Sequence, residues 1–192
     1  MRKDFGSKTY LYPMPVLIIG TYNEDGTANA MNAVWGGISD FDKIAIALSN
    51  HKTTDNLKQT KAFTVSVGTA SMVEACDYVG IVSGNKVPDK VSRAGLHAIK
   101  SKYVNAPIFE ELPLALECEV ISFDEKSEIL TGKIINVSAD EEILTDGNID
   151  VKKLRPITYD PVNHYYIELG NIVGKAFEVG KKLNLGGYNA KF

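Results

Sequence analysis

Val-Leu-Ile-Ile-Gly-Thr-Tyr-Asn-Glu-Asp-Gly-Thr-Ala-Asn-Ala-Met-Asn-Ala-Val, residues 16–34, is the stretch that decides the fold of this chain. Its apolar beginning, residues 16–21, has the length of a strand and is followed by a polar turn. The turn ends in Asp25-Gly26, and this dipeptide is a strong hairpin signal. The chain then returns through residues 27–34. We therefore predict a β-hairpin built from these two strands.

The rest of the chain continues this pattern of strands joined by turns and short helices. Runs of alternating or continuous apolar residues predict further strands at residues 43–48, 63–67, 113–123, 129–138 and 164–169. Thr53 or Thr54 is predicted to cap a short helix that runs to about residue 60. A second short helix is predicted over residues 75–79, and a loop over residues 81–95. Strands that come in hairpins, with short helices between them, favour an antiparallel barrel or sandwich.

Length, composition and charge narrow the class of protein. With 192 residues, 44% of them apolar and 23% charged, the chain is typical of one globular domain. A net charge of -3 offers no basic face for a phosphate backbone, so we expect no nucleic-acid partner. The apolar runs are too short to span a bilayer, and no apolar segment typical of an export signal follows the charged N-terminus. We therefore expect no membrane association and a cytoplasmic location.

Motifs for chemistry by the protein's own side chains are missing. The chain has no dinucleotide fingerprint, no phosphate-binding loop of the nucleotide triphosphatases, no nucleophile elbow and no zinc-protease motif. Cys76 and Cys118 do not form a C-x-x-C pair, which favours reduced thiols over a disulfide or a metal site. The three histidines lie far apart in the sequence. We therefore expect no catalytic side chain and no metal site, and assign the chemistry to a bound cofactor.

Two segments predict a pocket for a flat ligand that carries a phosphate. Residues 29–37 place Trp35, the only tryptophan, among small residues and carboxamides, which let a ring system lie close to the backbone. Residues 49–54 place hydroxyls and a cation where a helix begins, and a helix N-terminus binds phosphate well. In a regular strand Asn29, Met31, Ala33 and Trp35 share one face, which makes Asn32 structural. The alternative is that Trp35 belongs to the core.

The motifs of this chain match those of a known family, in order and over most of the length. They are Pro13-Met14-Pro15-Val16, Ile18-Ile19-Gly20-Thr21, Asp25-Gly26-Thr27-Ala28-Asn29-Ala30-Met31, Trp35, residues 49–54, Phe63-Thr64-Val65-Ser66-Val67, Ser83-Gly84, Asp89-Lys90, Pro113-Leu114-Ala115-Leu116-Glu117-Cys118 and Ile167-Glu168-Leu169-Gly170. The chain resembles the flavin reductase-like, FMN-binding split-barrel proteins, and among them the flavoredoxin branch. The resemblance implies a mainly β fold, a Greek-key split β-barrel of six strands with short flanking helices. It also implies a homodimer with FMN near the subunit interface.

The resemblance also implies roles for single residues. The segment 29–35 would lie along the isoalloxazine ring, and residues 51–54 with Lys90 would bind the ribityl phosphate. Tyr165 would lie by the flavin or the dimer contact. The turn at Ser83-Gly84 could donate backbone N–H groups, although a plain loop explains it equally well. The predicted cofactor-binding residues are Asn29, Met31, Ala33, Trp35, Ser49, His51, Lys52, Thr53, Thr54, Ser83, Gly84, Lys90 and Tyr165.

Three functions need this same pocket. The first is an NAD(P)H-dependent flavin oxidoreductase with FMN, for which NADH or NADPH is a transient substrate. The second is a flavoredoxin-like electron carrier that passes electrons through tightly bound FMN to redox partner proteins. The third is a flavin-storage or sensing domain without turnover. We predict a flavin reductase-like domain over residues 1–180 and a C-terminal tail over residues 181–192.

Overall fold

The hairpin predicted from the Asp-Gly turn is present in the computed structural model, which describes residues 1–183. The strands there are β1 (Met14–Pro15), β2 (Leu17–Tyr22), β3 (Ala28–Ala33), β4 (Gly36–Asp40), β5 (Lys43–Ala47), β6 (Ala62–Val67), β7 (Ala98–Lys100), β8 (Pro107–Phe109), β9 (Leu114–Asp124), β10 (Ile129–Ala139), β11 (Leu144–Thr145), β12 (Asn148–Ile149), β13 (Ile157–Tyr159) and β14 (Tyr166–Glu168). Gly26 takes a φ of 81° in the turn between β2 and β3, a conformation that glycine adopts without strain.

The helices are short, as the sequence predicts. They are α1 (Lys52–Thr60), α2 (Val73–Ile81), α3 (Lys90–Arg93) and α4 (Val151–Leu154), and 3₁₀ turns cover Ala70–Met72, Glu141–Ile143 and Val179–Leu183. Among the residues described, none of the helices has the length and apolar character needed to cross a membrane.

The main sheet has seven antiparallel strands in the order β3-β2-β6-β9-β10-β5-β4. Its two edge strands, β3 and β4, follow each other in the chain and are separated by Val34 and Trp35 alone. Three Cα steps span at most about 11 Å, whereas the edges of a flat seven-stranded sheet would lie about 29 Å apart. The sheet must therefore curl until its edges approach. This curled sheet confirms the predicted mainly β, split-barrel class.

Two apolar clusters fill the two faces of β2 and β3. Ile18 and Ala30 pack with Cys76 and Val79 of α2 on one face, whereas Ile19 and Ala33 pack on the other face with Leu57 of α1. Both clusters consist of buried side chains. The alternation of side chains along β3 therefore decides which helix each residue meets.

Several elements differ from the predictions. The sheet has seven strands rather than six, because β4 was not predicted. The predicted loop over residues 81–95 contains the end of α2 and the short α3. The predicted late strand is limited to β14, which pairs with β13 and, through it, β1. These short elements depend on pairing between distant segments, which local sequence patterns do not reveal. Of the predicted tail, residues 184–192 lie outside the described residues.

Candidate functional site

The free edge of β3 borders a cavity of about 180 Å³. The beginning of α1, the end of α2 and the loop that leads to α3 form its other walls. The lining residues are Met31, Asn32, His51, Lys52, Thr53, Val79, Gly80, Ile81, Val82, Ser83, Gly84 and Lys90. Seven of the predicted site residues are among them, namely Met31, His51, Lys52, Thr53, Ser83, Gly84 and Lys90.

The first turn of α1 faces this cavity. The helix begins at Lys52, and its N-cap is His51 with an extended backbone at φ -140°. The predicted cap at Thr53 or Thr54 is therefore wrong by two or three residues. Thr54 accepts a hydrogen bond from the backbone N–H of His51 at 2.9 Å and donates to its carbonyl oxygen at 2.7 Å. The first N–H groups of a helix have no partner within it. They and the positive end of the helix dipole make this end of the cavity suitable for an anion.

Asn29 joins β3 to the beginning of α1. Its side-chain amide donates to the hydroxyl of Thr53 at 2.8 Å and lies 3.4 Å from the hydroxyl of Thr21. A Cβ atom at Gly84 would lie only 2.5 Å from the carboxamide oxygen of Asn29, so the loop packs directly on this side chain. Asn29 is 2% exposed and does not line the cavity. Its position indicates that it holds the walls together rather than contacting a ligand.

Lys90 places a buried cation at the end of α2. Its ammonium group donates to the carbonyl oxygens of Val79 and Val82 at 3.0 and 2.9 Å, where the helix dipole favours positive charge. Burial lowers the pKa of Lys90 to about 8. The neighbouring Asp89 does not neutralise it, because that carboxylate pairs with Arg93 at 2.8 Å. An ammonium group has three N–H donors, so one remains for a ligand in the cavity.

Lys52 and His51 are two further polar residues that line the cavity. Lys52 is half-buried and lines the cavity as the first residue of α1. His51 is exposed, and its Nε2 atom lies 3.0 Å from the hydroxyl of Ser49. Ser49 itself lies outside the lining and reaches the cavity only through His51. The cavity is therefore bordered by two lysines and a helix N-terminus, all of which favour an anion.

Asn32, which strand alternation predicts to be structural, lines the cavity. Its side-chain amide donates to the carbonyl oxygen of Cys76 at 3.0 Å and to the hydroxyl of Tyr166 at 3.3 Å. Its carboxamide oxygen is buried and has no hydrogen-bond partner among residues 1–183. Met31 also lines the cavity, although it packs beside the apolar cluster on the other face of β3.

The structure does not bring all predicted residues together. Ala33 and Thr54 are buried, the first in the core cluster with Leu17 and the second in the cap of α1. Trp35 is 54% exposed, so it is not a core residue. It lines a separate apolar cavity of about 390 Å³ together with Leu11 and Pro13. Tyr165 is 65% exposed and borders neither cavity.

Sequence reasoning missed Asn32 and the end of α2 at residues 79–82. Both omissions have the same cause, because the position of the cavity depends on where α2 ends beside β3. A Cβ atom at Gly80 would lie 2.9 Å from the Cβ atom of Asn32, so this glycine is needed for the close contact. A glycine inside a helix is the signal in the sequence that could have pointed to this contact, since glycine weakens a helix.

The walls combine cations, apolar side chains and a carboxamide, and this combination suits binding more than bond-breaking by protein groups. Within residues 1–183, no group of three or more histidine, cysteine, aspartate or glutamate side chains is placed to hold a metal ion. Burial raises the pKa values of Cys76 and Cys118 to about 11 and about 12, so neither is a reactive thiolate at neutral pH.

Comparisons with known proteins agree on one family. A sequence profile described as "Flavin reductase like domain" matches residues 9–161. The structure of the flavoredoxin of Desulfovibrio vulgaris (Miyazaki F) is similar with a TM-score of 0.90 and 35% identity, covering 94% of this chain and 100% of that chain. A flavoredoxin from Methanosarcina acetivorans gives a TM-score of 0.85 and 27% identity, covering 95% and 99% of the two chains. An uncharacterised protein of Bacillus subtilis (strain 168) is 27% identical, in an alignment that covers 91% of this chain and 93% of that protein.

We predict that Asn29→Ala lowers the free energy of unfolding by about 1–3 kcal/mol, because it leaves buried polar groups around Thr53 without their partner. Urea denaturation followed by circular dichroism measures this change. Asn50→Ala is the control, since Asn50 is exposed, and it should leave the midpoint unchanged. Equal midpoints for the two variants would contradict the role of Asn29 as the link between β3 and α1.

Proposed function

Because the chain belongs to the flavin reductase-like domain family, we propose that it binds FMN and is an NAD(P)H-dependent flavin oxidoreductase. The observation that carries the proposal is the pairing of an anion-binding end with a carboxamide oxygen that lacks a donor, in one cavity of this fold. The FMN-binding proteins of the same fold support it.

The phosphate of FMN fits the end of the cavity formed by α1. α1 has nine residues, and the free N–H groups at its N-terminus can donate hydrogen bonds to a doubly charged phosphate. Lys52 and Lys90 add two cations, and charge-assisted hydrogen bonds are stronger than neutral ones. The hydroxyl of Thr53 is already an acceptor for Asn29, so its own hydrogen is free for an acceptor such as phosphate.

The ring of FMN fits the part of the cavity beside β3. Met31, Val79 and Val82 provide apolar contact for a flat ring. Gly80 and Gly84 add no side chains that would narrow the cavity. The unpartnered carboxamide oxygen of Asn32 needs an N–H donor, and the flavin ring carries one. A volume of about 180 Å³ is below the 300–1,000 Å³ usual for complete ligand sites, so part of FMN must extend beyond it.

In this proposal, the protein's own residues bind and orient while the cofactor reacts. When bound, FMN supplies hydride and electron chemistry that side chains lack. The helix N-terminus and the lysines hold the phosphate, and the walls at β3 and α2 fix the plane of the ring. A nicotinamide then needs only transient contact with an open ring face, which suits a chain without a dinucleotide fingerprint.

A second candidate is a flavoredoxin-like carrier that exchanges electrons with partner proteins and does not oxidise nicotinamides itself. The 35% identity to a flavoredoxin over 94% of this chain favours it. Both functions require bound FMN, so the electron donor decides between them.

An assay of electron donors separates the two candidates. We expect the purified protein to be yellow, to release FMN on denaturation, and to oxidise NADH or NADPH when free flavin is added. Absorbance at the nicotinamide and flavin bands measures both events. A yellow protein whose flavin is reduced by dithionite or a redox protein, but by neither NADH nor NADPH, would favour the carrier. A bound flavin that no protein or nicotinamide reduces would favour storage or sensing, and a colourless protein that ignores FMN in calorimetry would refute all three.

The binding of FMN should weaken as the pH rises through about 8. The ligand-free protein holds Lys90 with its pKa lowered to about 8, and a bound phosphate raises that pKa by stabilising the ammonium form. Below about pH 7.5 the lysine is charged in both states, so the affinity is constant. Above pH 8 binding must take up a proton, and the dissociation constant should rise up to about tenfold per pH unit. Fluorescence titration from pH 7 to 9.5 measures it.

Replacing the lysine provides the matched control. Lys90→Met should weaken FMN binding at pH 7 by about 1–3 kcal/mol and remove the dependence on pH. Lys86→Met changes an exposed lysine of the same loop and should keep the wild-type behaviour. If Lys90→Met leaves the affinity for FMN unchanged, Lys90 bonds only to the carbonyl oxygens at the end of α2 and does not contact FMN.

We also propose that the protein is a homodimer. The segment after β14 carries exposed apolar side chains, including Leu169, Ile172, Val173 and Val179. Exposed apolar side chains that recur along one segment are typical of interfaces, and a second copy would cover them. We expect light scattering to give twice the mass of one chain. Val173→Glu should shift the mass toward the monomer, whereas Lys181→Glu in the same segment should not. A wild-type monomer at micromolar concentration would refute the dimer.

A further inference from the structure

A chain of hydrogen bonds leads from β14 to the wall of the cavity. The hydroxyl of Tyr166 donates to the carboxylate of Asp77 at 2.9 Å, and the amide group of Asn32 donates to the same hydroxyl oxygen at 3.3 Å. Asp77 lies in α2, Tyr166 in β14 and Asn32 in β3. Three elements that are distant in sequence therefore meet at one carboxamide.

The partners in this chain set the orientation of the Asn32 carboxamide. The Asp77 carboxylate only accepts hydrogen bonds, so the hydrogen of the Tyr166 hydroxyl points to it and the hydroxyl oxygen is left as an acceptor. The other partner of Asn32 is the carbonyl oxygen of Cys76 at 3.0 Å, which is also an acceptor. Rotating the carboxamide by 180° would place its oxygen against two acceptors. The amide must therefore face the protein.

The carboxamide oxygen is left without a partner by this arrangement. The oxygen is buried in a residue that lines the cavity, and no group within residues 1–183 donates to it. A buried acceptor without a donor is unfavourable, because it has lost its hydrogen bonds to water. Gly80 allows α2 to pack closely on Asn32, since a Cβ atom at this position would lie 2.9 Å from the Cβ atom of Asn32. The structure thus holds an acceptor ready for an N–H donor that the protein does not supply.

We propose that Tyr166, oriented by Asp77, is a positioning residue that presents the carboxamide oxygen of Asn32 to an N–H group of the bound flavin ring. This inference rests on the proposed binding of FMN and adds a residue pair that does not itself line the cavity. Tyr166 acts through Asn32, and Asp77 acts through Tyr166. The site then favours a ring that offers a donor at this point over one that offers an acceptor.

A double-mutant cycle tests the inference. Tyr166→Phe keeps the ring but removes the hydroxyl, and we expect the dissociation constant for FMN to rise about threefold to tenfold, the size expected for one hydrogen bond. Asn32→Ala should weaken binding by at least as much. In the Asn32→Ala background, Tyr166→Phe should have no further effect, because the group that it positions is gone. The visible spectrum of bound FMN should change in both single variants.

Variants of Asp77 and an unrelated tyrosine complete the design. Asp77→Asn retains an oxygen that accepts from Tyr166 and should bind FMN almost as the wild type does, whereas Asp77→Ala should reproduce Tyr166→Phe. Tyr103→Phe, an exposed tyrosine outside this cavity, is the control and should change nothing. Thermal melting verifies that each variant folds.

The outcomes separate this inference from the proposed function. A wild-type protein that does not bind FMN refutes the function itself. A wild type that binds FMN, combined with folded variants whose affinity and spectrum are unchanged, overturns the inference alone. Additive effects of Tyr166→Phe and Asn32→Ala would also overturn it, because they would show that the two side chains act independently.

Discussion

Two carboxamides on opposite faces of one edge strand hold the helices that form the candidate site. Asn29 holds the beginning of α1 through Thr53, and Asn32 holds α2 through the carbonyl oxygen of Cys76. The register of β2 and β3, with Leu17 opposite Ala33, decides which asparagine meets which helix. A shift of one residue would exchange the two faces. The pairing of β2 with β3 is therefore the constraint on which the cavity depends.

The two helix ends that meet at this strand have opposite polarity. The beginning of α1 attracts an anion, whereas the carbonyl oxygens at the end of α2 would repel it. Lys90 resolves this conflict by donating to the carbonyl oxygens of Val79 and Val82. Burial lowers the pKa of its ammonium group to about 8 in the ligand-free protein, and an anion would reverse that shift. One buried lysine thus satisfies carbonyl oxygens at the end of α2 and adds a positive charge beside the cavity.

The fold was predictable wherever the signal was local. The Asp-Gly turn between β2 and β3, the apolar run of β5 and the long hairpin of β9 and β10 all lie within single short segments. The elements that were missed, β4 and the pairing of β1, β13 and β14, are two to five residues long and depend on contacts between distant segments. Periodicity over so few residues is too short to separate a strand from a loop.

The sequence by itself determined the family, the hairpin and the hydroxyl-rich helix start beside the cavity, because a helix start and its hydroxyls are neighbours along the chain. The tertiary structure alone decided which side chains face the cavity. Asn32 lines the cavity whereas Asn29 does not, and Tyr166 bonds to Asn32 whereas its neighbour Tyr165 is exposed. A strand alternates its faces with a period of two, so the helix packed on each face, and not the residue type, selects between them.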